Sequence, residues 1–285
     1  MPEWLATWCR SCSTVLIAVV AASASAVECE LTSPAEQALA KMFAPLKGVG
    51  FEGAVLFERG GSQQFMTVSW PDAEGRGALR RMNASVNPPI ESWPTPSSSS
   101  DRICDVLRVY SPALGTKRVV AGRLAQQLSL KPRDPLRLAH VVDLDVETGM
   151  ALAMATAGAD GQILERYEYA HIQFSDIAVD AAHGQSDETY SRGRAVIPGF
   201  FLVSEDPANG FFVVSDGLAT ASIFVEPLLA SAPPGEGAVI EGATLTYTRG
   251  VTGDEGRLLI SVLGEIPVVT ARMLADAVRS PRVAK

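Results

Sequence analysis

Apolar and polar positions change period several times along this chain, and each change marks an element. Ala38, Leu39, Met42, Phe43 and Leu46 fall at helical spacing. Ser33-Pro34-Ala35-Glu36 ahead of them reads as a capping box with proline at the first helical position. Gly48-Val49-Gly50 closes this short helix, and the period drops to two. Residues 53–58 and 64–70 predict a hairpin about Gly60-Gly61, whereas 71–101, with its prolines and the serine run 97–100, predicts a long loop. Alternation returns at 103–110, which predicts a strand. Strands at 138–145 and 150–156 flank the turn Glu147-Thr148-Gly149, and another at 162–174 follows Asp160-Gly161. That last strand puts Tyr167 and Tyr169 on one face.

Residues 177–195 carry no apolar period and include His183-Gly184-Gln185-Ser186-Asp187-Glu188, so they read as a linker. Beyond it, 211–214, 219–226, 245–249 and 257–263 predict a four-stranded meander whose first pair turns at Ser215-Asp216-Gly217. A closing helix, 268–279, follows Pro267 and places Val269, Met273, Leu274 and Ala277 on one face. The fold class is α+β, mostly antiparallel β.

The first 26 residues pattern as an export signal: Arg10, an apolar run over 15–22, then Ala24-Ser25-Ala26 as a small-x-small cleavage site. The run is shorter than the roughly 20 residues a membrane helix needs; an uncleaved anchor is the alternative. The predicted destination is the periplasm. Domain boundaries follow as 1–26 signal peptide, 27–180 N-terminal β domain (71–101 loop-rich), 181–196 linker and 197–280 C-terminal α+β domain. Cys9 and Cys12 leave with the signal, so Cys29 and Cys104 remain, a pair that an oxidising compartment bridges, with two free thiols as the alternative. The leader holds one Arg and one Glu, so the net charge of −8 is unchanged by its removal, and no overall attraction to nucleic acid is expected.

No motif nominates an active site, and the chain does not read as an enzyme. Gly48-Val49-Gly50-Phe51-Glu52-Gly53 matches the dinucleotide pattern, but a helix precedes it and a strand follows, the reverse of what phosphate binding requires. His140, His171 and His183 lack metal-ligand spacing; His140 and His171 read as half-exposed strand positions. Asp143 and Asp145 share one strand face and read as a hydrated edge rather than a catalytic carboxylate pair. No cofactor or metal is expected.

Two groups remain as candidate binding residues. Lys117, Arg118, Arg123, Lys131, Arg133 and Arg137 crowd one segment, and a helix over 119–130 would add a stripe of Val119, Val120, Leu124, Leu128 and Leu130. Such a segment suits anionic lipid or an acidic peptide, with a solvated surface helix as the alternative. Phe200, Phe211, Phe212 and Phe224 (with Phe201 beside them) are core by periodicity, yet some of them are candidates to anchor a partner.

Several blocks resemble the MucB/RseB family: Ser215-Asp216-Gly217-Leu218-Ala219 leading into Ser222-Ile223-Phe224-Val225-Glu226, and Ile260-Ser261-Val262-Leu263-Gly264-Glu265-Ile266-Pro267 followed by Thr270-Ala271. Pro198-Gly199-Phe200, the segment 104–109 around Cys104, and the turns at 145–150 and 160–165 are similar as well. The resemblance implies a regulator of envelope stress that binds the periplasmic segment of a membrane-anchored anti-sigma factor and shields it from proteolysis. It implies an N-terminal half-barrel like that of the lipoprotein carrier LolA, sensing lipid or lipopolysaccharide, a C-terminal domain that contacts the partner, and self-association. The chain departs from the family pattern at 78–96 and through an insertion at about 115–135. The second reading is a periplasmic carrier of lipid or lipoprotein with no anti-sigma partner.

Overall fold

The computed structural model describes residues 29–44, 49–70, 78–82, 91–92, 100–176, 192–229, 235–253 and 256–279. The segment expected to be an export signal, 1–26, and most of the expected linker, 181–196, lie outside these residues. Helix α1 (Pro34–Phe43) begins as its capping box dictates: Glu36 N–H donates to the Ser33 hydroxyl at 3.2 Å, and the Glu36 carboxylate accepts from the Ser33 N–H at 2.8 Å. Ala35, Leu39 and Phe43 form its buried face.

Helix α2 (Ser100–Val109) stands where alternation predicted a strand over 103–110. Ile103, Val106 and Leu107, with Tyr110 just beyond, lie at helical spacing as well, and they pack with Leu39 and Phe43 of α1. Asp105 and Arg108 pair one turn apart at 2.6 Å, which a strand would place on opposite faces. Cys104 on α2 is bonded to Cys29, with the two Cα atoms 5.5 Å apart.

The larger sheet contains β1 (Val49–Arg59), β2 (Ser62–Trp70), β3 (Ala78–Arg81), β4 (Glu91–Ser92), β5 (Tyr110–Val120), β6 (Arg123–Pro132), β7 (Ala139–Asp145), β8 (Ala151–Ala157) and β9 (Ile163–Asp176). Its order is β4-β3-β2-β1-β9-β8-β7-β6-β5, antiparallel throughout. Strands β3 and β4 extend it through the segment expected to be loop. The last glycine of the nucleotide-like pattern serves packing: Gly53 lies in β1, where a Cβ would strike the Tyr169 ring 2.9 Å away. A bulge in β9 opposite Ala54/Val55 shifts its period by one residue, so Ile172 and Phe174 join Tyr167 and Tyr169 in one apolar cluster.

The basic segment is a hairpin and not the helix considered over 119–130. Ala121 and Gly122 take φ of +50° and +78°, the left-handed values that a two-residue hairpin turn demands. After that turn Leu128 and Leu130 are buried while Ser129 and Lys131 alternate with them, a period of two. The sheet curls, since Arg118 on β5 reaches both Asp143 on β7 and Glu168 on β9.

The smaller sheet contains β10 (Ala195–Ile197), β11 (Phe200–Asp206), β12 (Phe211–Ser215), β13 (Thr220–Pro227), β14 (Glu236–Glu241), β15 (Thr244–Gly253) and β16 (Gly256–Gly264), in the order β10-β11-β12-β13-β16-β15-β14. It is not the four-stranded meander expected from periodicity. Strand β13 pairs with β16, and three further strands widen the sheet. Helix α3 (Val268–Arg279) covers one face with Ala271, Leu274 and Ala275 buried. Val269, assigned to that face from the sequence, is 44% exposed.

The disulfide closes a separation of 75 residues and ties the start of the described chain to α2. Its loss is expected to cost about 4 kcal/mol through restored freedom of the unfolded chain. Cys29→Ser, followed by urea denaturation, checks this; a midpoint equal to that of the unaltered chain would refute it.

Candidate functional site

The two sheets meet at Arg137, in the connection between β6 and β7, whose side chain is wholly buried. Its Nε donates to Asp216 Oδ2 at 2.8 Å, Nη1 to both Asp134 carboxylate oxygens at 2.7 and 2.6 Å, and Nη2 to the Pro198 carbonyl at 3.0 Å. The guanidinium lies 4.8 Å from the Phe200 ring centroid. Gly199, at φ +73°, is required here, because a Cβ would overlap Arg137 Nη2. Asp216, also without exposure, accepts from the Leu218 and Ala219 N–H groups at 2.9 and 2.8 Å. Burial pushes the Asp216 carboxyl up, and those two amides with Arg137 work against that rise.

Further contacts join the same seam. Arg102 of α2 donates through Nε to the Gly217 carbonyl at 2.6 Å, and the Thr270 hydroxyl of α3 donates to the Leu136 carbonyl at 2.7 Å. A second pin lies at Glu165 on β9, which accepts from Arg59 Nε and from the Ala243 N–H, both at 3.1 Å. Ala243 sits in the β14–β15 turn, so that turn rests on the larger sheet.

The cations of the β5–β6 hairpin are mostly engaged internally. Arg118 forks between Asp143 at 2.7 Å and Glu168 at 2.9 Å; Arg123 bonds Asp145 at 2.9 Å and Glu147 at 2.7 Å. Arg133 donates to the Tyr110 carbonyl at 3.1 Å. Lys117 and Lys131 face solvent. Asp143 and Asp145 are therefore buried partners of arginines, not a hydrated edge. Burial works against ionisation of Asp145, but Arg123 and Thr148 prevail and hold its pKa below the usual carboxylate value.

The phenylalanines divide by strand parity. Phe200 and Phe212 belong to the core under α3. Phe211 and Phe224 oppose each other across β12 and β13 on the far face, ring centroids 5.2 Å apart, with Phe224 37% exposed. On the same face the row Val213, Ser222, Leu263, Thr246 and Val239 crosses five strands.

His140 is buried, contrary to the half-exposed position expected for it, and no described group hydrogen-bonds its Nε2. Its Nδ1 lies 3.3 Å from the Thr156 hydroxyl. Burial pushes the imidazole down to about 4. Among the described residues, no group of three His, Cys, Asp or Glu side chains is placed to hold a metal ion.

Two family models match this chain: the MucB/RseB N-terminal domain over residues 72–189 and the MucB/RseB C-terminal domain over 188–279. The chain belongs to the MucB/RseB family. The sigma factor AlgU regulatory protein MucB of Pseudomonas aeruginosa is 26% identical over a 280-residue alignment that covers 82% of this chain and 87% of that protein. The sigma-E factor regulatory protein RseB of Haemophilus influenzae is 26% identical over 189 residues, 58% of each chain. Among solved structures, MucB in the Pseudomonas aeruginosa MucA/MucB complex superposes with a TM-score of 0.66 at 24% identity, covering 85% of this chain and 97% of that one. A second structure, of MucB in complex with MucA(peri), gives 0.62 at 25% identity, with 85% and 97% covered. Four of the sequence blocks that carried the resemblance meet at the Arg137 seam: Ser215–Ala219, Pro198-Gly199-Phe200, the Cys104 helix and Thr270-Ala271. Arg137 was grouped only with the basic segment, and a lone arginine ahead of a strand carries no signal of its partners.

Two measurements follow from this geometry. Arg137→Met leaves Asp216 buried without its cation and is expected to cost about 3–5 kcal/mol in denaturant unfolding; a loss below about 1 kcal/mol would show that the pair contributes little. The folded chain binds the His140 proton more weakly than the unfolded chain does. Stability from this group is therefore present above pH 6.5 and lost as pH falls toward about 4. The stability of His140→Phe should fall less over that range, by about 3 kcal/mol. Parallel pH profiles of the two proteins would contradict this.

Proposed function

We propose that this chain is a periplasmic regulator that binds the periplasmic segment of a membrane-anchored anti-sigma factor and limits its proteolysis. Family membership carries the reading, supported by relatives whose names state sigma-factor regulation and by MucB structures in complex with MucA. The chemistry on the page agrees with binding by folded surface. The buried charges pair with one another, and the apolar groups left outward are side chains of a sheet rather than the lining of a reaction cleft.

Within this reading the C-terminal sheet, as the family's C-terminal domain, contacts the partner, and Phe211 and Phe224 are its aromatic anchors. Phe200 and Phe212 support the sheet from beneath. Sensing of lipid or lipopolysaccharide belongs to the N-terminal sheet. Its anionic-ligand role falls to Lys117 and Lys131, the cations of the hairpin that face solvent. The carrier reading needs an apolar cavity. Among the described residues, one mostly apolar cleft of about 210 Å³ is bounded by Pro34, Ala38, Leu114, Leu144 and Val146.

The direct test is capture of the periplasmic segment of the anti-sigma factor by the mature chain, followed by timed proteolysis of the segment with and without it. Binding and slowed cleavage are expected; no capture at micromolar concentration would overturn the reading. Phe211→Ser together with Phe224→Ser should weaken capture at least about tenfold, an anchor contribution of about 1.4 kcal/mol or more. Equal affinity would remove the two rings from the interface.

A further inference from the structure

Among the described residues, four strands end the two sheets, and three of them are blunted against pairing with another chain. Strand β4 has two residues and β10 has three, with a register shift against β11. Strand β5 carries Pro112, Lys117 and Arg118 and is bulged between Leu114 and Lys117. Strand β14 has none of these devices. It pairs with β15 in unbroken register over six residues, and every one of them is exposed. Its central Gly237-Ala238-Val239-Ile240 holds no charge, no proline and no lysine. An edge strand turns the N–H and C=O groups of alternate residues outward, where they wait for a strand to bond.

Two further features prepare this edge. The turn that follows it is held by Glu165 through the Ala243 N–H, so the strand is braced against the larger sheet before any partner arrives. Val239 and Ile240 are 69% and 61% exposed and point to opposite faces, so an incoming strand meets an apolar side chain above and below. Val239 continues the outer row through Thr246 and Leu263 toward the Phe211–Phe224 face.

We infer that β14 is a docking edge on which an extended polypeptide segment, apolar at its centre and basic at the end that meets Glu241, adds as a further strand. The inference rests on the regulator reading for the identity of that polypeptide, but the edge itself does not depend on it. Charge decides between a partner and a second copy. Antiparallel self-pairing centred on the strand would set each Glu241 against the other copy's Glu236, already paired with Arg272, whereas a basic residue on a partner would pair Glu241 directly. Glu236 is held by Arg272 at 2.7 Å, which leaves the charge of Glu241 to be met by the incoming chain.

Amide hydrogen exchange on the full mature chain tests the inference, with two probes added separately. One is the periplasmic segment of the anti-sigma factor; the other is a short peptide of alternating valine and threonine with a lysine at each end. Protection of residues 236–241 is expected with both. The double variant V239K/I240K should weaken binding of each at least about tenfold while the thermal midpoint stays in place, since both side chains are exposed. If the anti-sigma segment fails to bind while the peptide still protects β14, the regulator reading falls and the edge stands. Overturning outcomes are exchange over 236–241 left unchanged by both probes, or equal affinity in the double variant. Dimers in sedimentation that V239K/I240K dissolves would also overturn it, replacing the partner by a second copy.

Discussion

A buried guanidinium has to recover within the protein the hydrogen bonds it gives up in water, and Arg137 does so only by drawing on both sheets. Asp134 comes from its own loop, whereas Asp216, the Pro198 carbonyl and the Phe200 ring come from the smaller sheet. Desolvating such a group costs several kcal/mol, and mutual attraction offsets this only when geometry is good and the remaining donors are satisfied. Each of those partners is directional, so the set admits one relative placement of the sheets. A hydrophobic contact of equal area would tolerate sliding. The seam thus contributes less to total stability than to the choice of one arrangement.

That arrangement determines which surfaces remain for binding. With Arg137 securing one place and Glu165 another, the helix-covered face of the smaller sheet turns into its core, and the Phe211–Phe224 face and the β14 edge are left outward. The same economy operates in the β5–β6 hairpin. Arg118 and Arg123 are spent on Asp143, Glu168, Asp145 and Glu147, which fasten the curled sheet to itself. A segment that is basic in sequence therefore has much of its charge offset at its surface, and Lys117, Lys131 and Arg133 are the cations left to meet an anion. Electrostatic steering of an anionic ligand by this hairpin is correspondingly weak.

Strands with clean alternation, both hairpins of the N-terminal half that have Gly-rich turns, and the closing helix were legible in the sequence, because burial on one face leaves a period that composition alone reveals. Helix α2 was not, since Ile103, Val106, Leu107 and Tyr110 satisfy helical spacing while their neighbours also alternate. The tie is broken only by contact with α1. The hairpin at 110–132 was missed for a related reason: an alanine at φ +50° occupies a turn position where glycine or asparagine is the usual signal. The edge strand β14 has no buried face and hence no period to read. The site was legible in a different sense. The resemblance quoted several segments that lie in the seam, yet nothing in a linear sequence says that Ser215–Ala219, Pro198-Gly199 and Thr270 converge near one arginine.

Under the proposed regulator reading the chain has to change state, and the seam bounds how it does so. Separating the sheets strips Arg137 of Asp216 and Pro198 and strips Glu165 of Ala243. Those losses amount to several kcal/mol unless water reaches the freed groups. A ligand acting by separation would have to bind the open form more tightly than the closed form by a comparable amount, on the order of 10³–10⁴-fold. A ligand acting by competition at β14 or on the Phe211–Phe224 face faces no such requirement, since those groups are already exposed and braced. Control exerted on the outer surface of the smaller sheet is therefore the less costly route for this architecture, and the seam serves it by holding that surface still.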